Sequence, residues 1–291
     1  MTNDNYHESV MTREVIEKLH IKKACKYIDA TLGTAGHTLA IVQKGGQVLG
    51  IEADPEMLAI AERRLKDEKG YKLVNGNFID IGKIAKDNGF GQVCGILFDL
   101  GVSNLHLTDE TRGFSFGNPE AELDMRLNRE AQGVKASDLL NLLRRDQLIE
   151  MFTETLDPGP ARWLSSKVID FREERKFEKV SDLIEVCHGL KTGKKKLNEA
   201  TLPFLALRIA VNSELDNLKN ALNTAYDLLI EGGRLIIITF HSKEEEIVNE
   251  FFGKKGEFIT PSDDEINKNQ RSRSAKMRVI EKESNKKYEK N

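Results

Sequence analysis

"DATLGTAGHT", residues Asp29–Thr38, closes the short apolar run KYIDA (26–30), and the rest of the chain is read outward from it. The turn has two glycines, Gly33 and Gly36, and no lysine. A phosphate-cradling P-loop needs G-x-x-x-x-G-K-[ST], so that backbone N–H groups and a lysine surround the phosphates; the chain supplies none. The dinucleotide fingerprint needs three glycines as G-x-G-x-x-G. The spacing Gly33-x-x-Gly36 keeps the close approach of backbone to ligand and drops the pyrophosphate seat.

The next apolar run, GQVLGIEAD (46–54), reaches Glu52 some twenty residues after the turn, where a strand-end acid can accept both hydrogen bonds of a ribose diol. A sugar without a pyrophosphate points to S-adenosyl-L-methionine as cofactor. Asp54 is expected to cap the helix that Pro55 opens in PEMLAIAERRLKDE. YKLVNGN (71–77) and CGILFDLG (94–101) add buried strands. GGRLIIITF (232–240) adds a fifth, after an amphipathic run from Leu215 to Ile230. Strands alternating with helices predict an α/β fold with a parallel sheet covered on both faces.

The alternation stops after Asn104. For about a hundred residues helical spacing dominates, in ASDLLNLLRRDQLIEMF (136–152), ARWLSSKVIDFREE (161–174) and VSDLIEVCHGL (180–190). The expected division is a core of residues 1–103 and 201–291 with a mainly helical, substrate-recognising insert at 104–200. By the crevice rule, ligands bind at the carboxyl ends of such a sheet.

Phe78, in NGNFID, is a candidate to pack on an adenine face, with a core ring as the alternative. Asp99 ends the fourth strand with no lysine or arginine within several residues, which makes it the candidate acid at the reacting methyl.

Charge is balanced, Lys+Arg 44 against Asp+Glu 47, so nucleic-acid contact must come from local basic patches. The cysteines, Cys25, Cys94 and Cys187, are far apart, with no C-x-x-C and no histidine at ligand spacing. Neither a disulfide framework nor a metal site is expected, and a reducing cytoplasm fits. The start, MTNDNYHESVMTREV, lacks a basic region followed by an apolar core. No window approaches the roughly 20 apolar residues of a membrane span, so the expectation is a protein neither exported nor embedded.

Together DATLGTAGHT, GIEADPE, FDLGVSN, RGFSF, ELDMRLN, ALRIAVNSEL, GGRLIIITFHSKEEEIV and RSRSAKMRV resemble the bacterial ribosomal RNA small subunit methyltransferase H family, in order from about Tyr6 to Glu281. The resemblance implies a class I S-adenosylmethionine-dependent, Rossmann-like fold and methylation of a cytidine exocyclic amine in the decoding centre of 16S rRNA, giving N(4)-methylcytidine. The implied partner is 16S rRNA within the 30S subunit or a precursor, with a homodimer left open. It also implies that Ala35, Gly36 and His37 contact the methionine part of the cofactor, Glu52 its ribose, Phe78 the adenine neighbourhood and Asp99 the reactive end. His106 falls where the family has a glutamine that touches the cofactor.

Departures cluster in the insert: LDPGP replaces the family's Gly-Glu-Glu, NEATLPFL its lead-in to ALRI, and SNLH its SSPQ. This drift keeps two other readings in view, a small-molecule or protein methyltransferase and a non-catalytic RNA-binding assembly factor. Intact Gly33, Gly36, Glu52 and Asp99 argue against the last.

A cytosine amine is a poor nucleophile and needs orientation more than a strong base. Asp99, or a backbone carbonyl of the DLG turn, can accept an amine N–H and stabilise charge developing on nitrogen. Phe114 and Phe116 are candidates to stack a splayed base, with anchoring of the insert as the alternative. KNQRSRSAKMR (268–278) holds five basic residues and no acid, and AKMRVIE reads as a strand holding Arg271, Arg273 and Lys276 for phosphates. KTGKKK (191–196) is read first as a solvated charge run. Arg126, Arg208 and Asn212 are further candidates to line the substrate cleft, and Ser242 is read as a helix cap.

Overall fold

The computed structural model describes residues 9–101, 103–193, 197–253 and 255–283; the side chains of Asn104 and Arg271 also lie outside it. Seven strands form one sheet: β1 (Lys26–Asp29), β2 (Gln47–Glu52), β3 (Tyr71–Asn75), β4 (Val93–Asp99), β5 (Leu229–Thr239), β6 (Glu257–Ile259) and β7 (Lys276–Glu281). Their order is β3-β2-β1-β4-β5-β7-β6. β1 to β5 pair in parallel, whereas β7 runs antiparallel to both β5 and β6. The sheet is therefore mixed where the sequence pattern predicts a parallel one.

The helices are α1 (Thr12–Leu19), α2 (Gly36–Gln43), α3 (Pro55–Leu65), α4 (Ile81–Asp87), α5 (Asn104–Thr108), α6 (Ala136–Leu142), α7 (Arg145–Thr153), α8 (Pro158–Glu174), α9 (Val180–Cys187), α10 (Thr201–Asn212), α11 (Glu214–Leu228), α12 (Ser242–Phe252) and α13 (Asp263–Lys268). None is long and apolar enough to cross a membrane, among the described residues.

Successive side chains of a strand point to opposite faces, and the central strands use both. Ile28, Ile96, Phe98 and Ile237 pack with Ile81 of α4, Leu218 and Leu222 of α11, and Val248 of α12. Tyr27, Leu97, Ile236 and Ile238 pack with Val15 and Leu19 of α1 and Ile41 of α2. Burial on both faces explains the continuous apolar runs by which these strands are legible.

The chain divides into two compact units, Met1–Gly101 with Asp216–Asn291, and Val102–Leu215. The second has its own apolar core, from Phe114 through Leu148, Phe152, Leu164 and Val168 to Leu207. The boundary falls later than the expected 200, because Leu202, Phe204, Ala206 and Leu207 of α10 belong to this core. The long run 136–152 is two helices. The chain is extended at Leu143 and Arg144, and the Gln147 side chain accepts the Arg144 N–H at 3.0 Å to start α7 afresh.

Cys25 and Cys94, read from the sequence as unrelated thiols, lie side by side with Cα atoms 6.1 Å apart. They are far apart in sequence, but β1 lies beside β4 with Tyr27 opposite Gly95, which brings the two residues together.

Candidate active site

Strand order reverses between β1 and β4, which makes the crevice at their carboxyl ends the expected ligand seat. In register, Asp29 pairs with Gly50 on one side and Leu97 on the other. Glu52 and Asp99 each lie two residues beyond those partners, so three acids end three adjacent strands.

From Asp29 the chain enters the glycine turn. Gly33 has φ +52°, and a Cβ there would meet nothing closer than 4.0 Å, so the residue is needed for its backbone conformation and leaves open space beside it. Gly36 differs, since a Cβ would fall on the Ser9 side chain. Ala35, wholly buried, sits left-handed at φ 64°, a strain of roughly 1–2 kcal/mol for a residue with a Cβ. Arg64 of α3 steadies this kink by donating to the Thr34 carbonyl at 3.0 Å.

Glu52 ties turn, strand and helix. Its Oε2 accepts the Gly33 N–H at 2.7 Å and its Oε1 the Asp54 N–H at 2.9 Å. Asp54 in turn caps α3 by accepting the Glu56 N–H at 2.8 Å, as expected. Glu52 is 8% exposed, and burial pushes its carboxyl up to about 7 against the pull of the two amides. Asn75, opposite it on β3, donates to the Glu52 carbonyl at 2.9 Å. Just beyond, Phe78 is half-buried, its ring edge-on to Phe98 at 5.5 Å between centroids.

At the end of β4, the Asp99 N–H donates to Thr31 Oγ1 at 2.6 Å. His37 Nε2 lies 3.3 Å from Asp99 Oδ2. Thr38 Oγ1 donates to Asp29 Oδ2 at 2.8 Å. Burial pushes the Asp29 carboxyl above the usual carboxylate range, opposed by the nearby imidazole of His37 and by Thr38. Asp99 Oδ1 and His37 Nδ1 are buried with no hydrogen-bond partner among the described residues. Thr31, Thr38 and Arg64 escape sequence reasoning, because nothing in the pattern distinguishes them from ordinary turn and helix residues.

The second unit holds the other candidates, and several are already engaged. His106 is buried with its ring 5.2 Å from that of Phe114. Phe114 is buried in the core of this unit, under the Arg112 guanidinium, and is not open to stack a base. Phe116, 39% exposed and edge-on to Phe204, is open.

Arg126 is clasped by Asp124 at 2.7 and 2.8 Å and donates to the Gln132 carbonyl at 2.7 Å, so it braces its own loop and is not free to line a cleft. Arg208 is held bidentate by Glu214 at 2.9 Å. Asn212 accepts the Leu127 N–H at 3.0 Å and donates to the Met125 carbonyl at 2.9 Å, which makes it a pin for that loop.

Of the basic run in the first unit, Arg273 is exposed and Lys276 is paired with Glu245 at 2.8 Å; the Arg271 side chain and residues 194–196 of KTGKKK lie outside the described residues. Ser242 is not the cap of α12. His241 occupies that position, and Glu244 accepts its N–H at 3.3 Å and that of Phe240 at 2.7 Å.

A class I sheet with an open glycine turn, an acid at the end of β2 and a half-spent acid at the end of β4 defines an S-adenosyl-L-methionine-dependent methyltransferase. The chain belongs to the MraW methylase family, whose sequence profile matches residues 4–258. It is 37% identical to the Ribosomal RNA small subunit methyltransferase H of Dictyoglomus thermophilum, over 97% of this chain and 98% of that one. The protein of the same name from Methylacidiphilum infernorum is 36% identical over 94% and 93%, and that from Bacteroides fragilis 33% identical over 95% and 97%.

Proposed function

We propose that this enzyme methylates the exocyclic amine of a cytidine in 16S rRNA, in the 30S subunit or a precursor in the cytoplasm, giving N(4)-methylcytidine in the decoding centre. The observation that carries the chemistry is Asp99, whose partly exposed carboxylate ends β4 on a main chain tied down by Thr31. The rRNA substrate rests on full-length likeness to relatives named for that activity.

The residues fit the donor. Gly33 leaves room beside the turn, Glu52 would hold a ribose with the lone pairs its two amide bonds leave over, and the half-buried Phe78 would pack on the adenine. Ala35, Gly36 and His37 would line its methionine part. When bound, the cofactor supplies an electrophilic methyl group on a sulfonium. The Asp99 carboxylate accepts an amine N–H, turns the nitrogen lone pair toward that methyl and offsets the charge that grows on nitrogen. It then takes the proton. In the second unit Phe116 presents an exposed ring suited to stacking an RNA base, and in the first unit Arg273 is exposed to meet the RNA backbone.

The test is nucleoside mass mapping of 16S rRNA from cells with and without the gene, followed by transfer from labelled donor to unmodified 30S subunits by purified protein. Appearance of N(4)-methylcytidine with wild type, and its loss with Asp99→Ala, is the expected result. Transfer to a small molecule or protein in place of RNA would reassign the substrate.

A further inference from the structure

The two oxygens of the Asp99 carboxylate are in unlike states. Oδ2 lies 3.3 Å from His37 Nε2, while Oδ1 is buried and has no partner among the described residues. The last torsion of an aspartate is soft, so without a side-chain contact this carboxylate would swing and offer either oxygen. His37 is well placed to prevent that. It is the second residue of α2, is almost wholly buried, and precedes Thr38, whose hydroxyl anchors the helix start to Asp29 at 2.8 Å.

We propose that His37 is a positioning residue for methyl transfer, holding the Asp99 carboxylate in one orientation through Nε2. This rests on the assignment of Asp99 above and adds to the cofactor contact that the resemblance implies for His37. In the transfer, the N–CH3 bond forms as the S–CH3 bond breaks, sulfur keeps the electron pair, and the nitrogen proton passes to the Asp99 carboxylate. His37 neither gives nor takes a proton in that step. It fixes the direction from which the acceptor faces the nitrogen, and misplacement of a reacting group by about 1 Å costs on the order of 100-fold.

The experiment is a double-mutant cycle on the full-length enzyme with unmodified 30S subunits, at saturating donor. His37→Ala is expected to lower kcat about 10- to 100-fold at saturating donor, over and above the loss of S-adenosylhomocysteine affinity that calorimetry reads for a residue lining the methionine part. His37→Gln keeps an N–H at a similar reach and is expected to recover most of the lost rate. In an Asp99→Ala background, removing His37 is expected to cost nothing more, because a residue acting through another has no separate effect. The inference is overturned if the two losses multiply, if Gln is no better than Ala, or if His37→Ala weakens only donor affinity. Full activity in Asp99→Ala takes down the Asp99 assignment and this inference together, whereas full activity in His37→Ala alone removes only the inference.

Discussion

The Glu52 carboxylate accepts the Gly33 amide at 2.7 Å, so the acid that ends β2 is already bonded to the turn that ends β1. One side chain therefore sets both the shape of the turn and the charge beside it.

That bond has a pH signature. Burial raises Glu52 from 4.5 to about 7, so the folded protein favours the protonated acid. Its contribution to stability is complete below the unfolded value and is lost as pH climbs through about 7, a change on the order of 3 kcal/mol. Thermal melts of ligand-free protein should fall from about pH 5 to about pH 8, and Glu52→Gln should flatten that fall. A ribose diol wants the ionised acid, so S-adenosylhomocysteine should bind more tightly as pH rises through about 7 and release a proton on binding below it. Calorimetry in two buffers of different ionisation enthalpy reads that proton, and an unchanged proton count in Glu52→Gln would refute the assignment.

Phe114 and Phe116, two residues apart, should behave oppositely. Phe114→Ala empties a buried site and should cost about 3 kcal/mol or more in urea unfolding. Phe116→Ala should leave stability within about 1 kcal/mol and raise the KM for 30S subunits about tenfold, the worth of one base stacked on a ring.

Gly113, between the motif's arginine and Phe114, has φ +72°, and a methyl there would strike the Glu122 carbonyl oxygen and lie 3.1 Å from the Asp124 nitrogen. Gly113→Ala should destabilise by clearly more than the roughly 1 kcal/mol of the backbone term alone. Gly133→Ala, with nothing within 4 Å, should change the melting temperature little. Equal effects in the two variants would contradict the clash.

Asn212 holds the loop at Met125 and Leu127 from inside the second unit. Asn212→Ala strands buried amide and carbonyl groups and should lower stability by about 2–4 kcal/mol. At a temperature where the variant stays folded, its affinity for RNA should match wild type; a specific loss there would return Asn212 to the substrate-binding set.

The central strands, the turn and its two strand-end acids were legible because burial on both faces writes itself as runs such as GILFD, an acid closing such a run marks the strand end, and Asp54 before Pro55 marks the cap. β6 was not. It is three residues long and carries an exposed Phe258, so no period accumulates. Nor were the partners of polar residues. Arg126, Arg208 and Asn212 have the composition of a substrate cleft, yet their donors are used on Asp124, Glu214 and nearby carbonyls. The meeting of His37 with Asp99, and of Cys25 with Cys94, depends on β1 lying next to β4, a fact of strand order that local pattern does not encode.

The second unit builds its hydrophobic interior from its own residues, from Phe114 to Leu207. A substitution inside it is therefore expected to loosen that unit first, with local opening there preceding loss of the sheet.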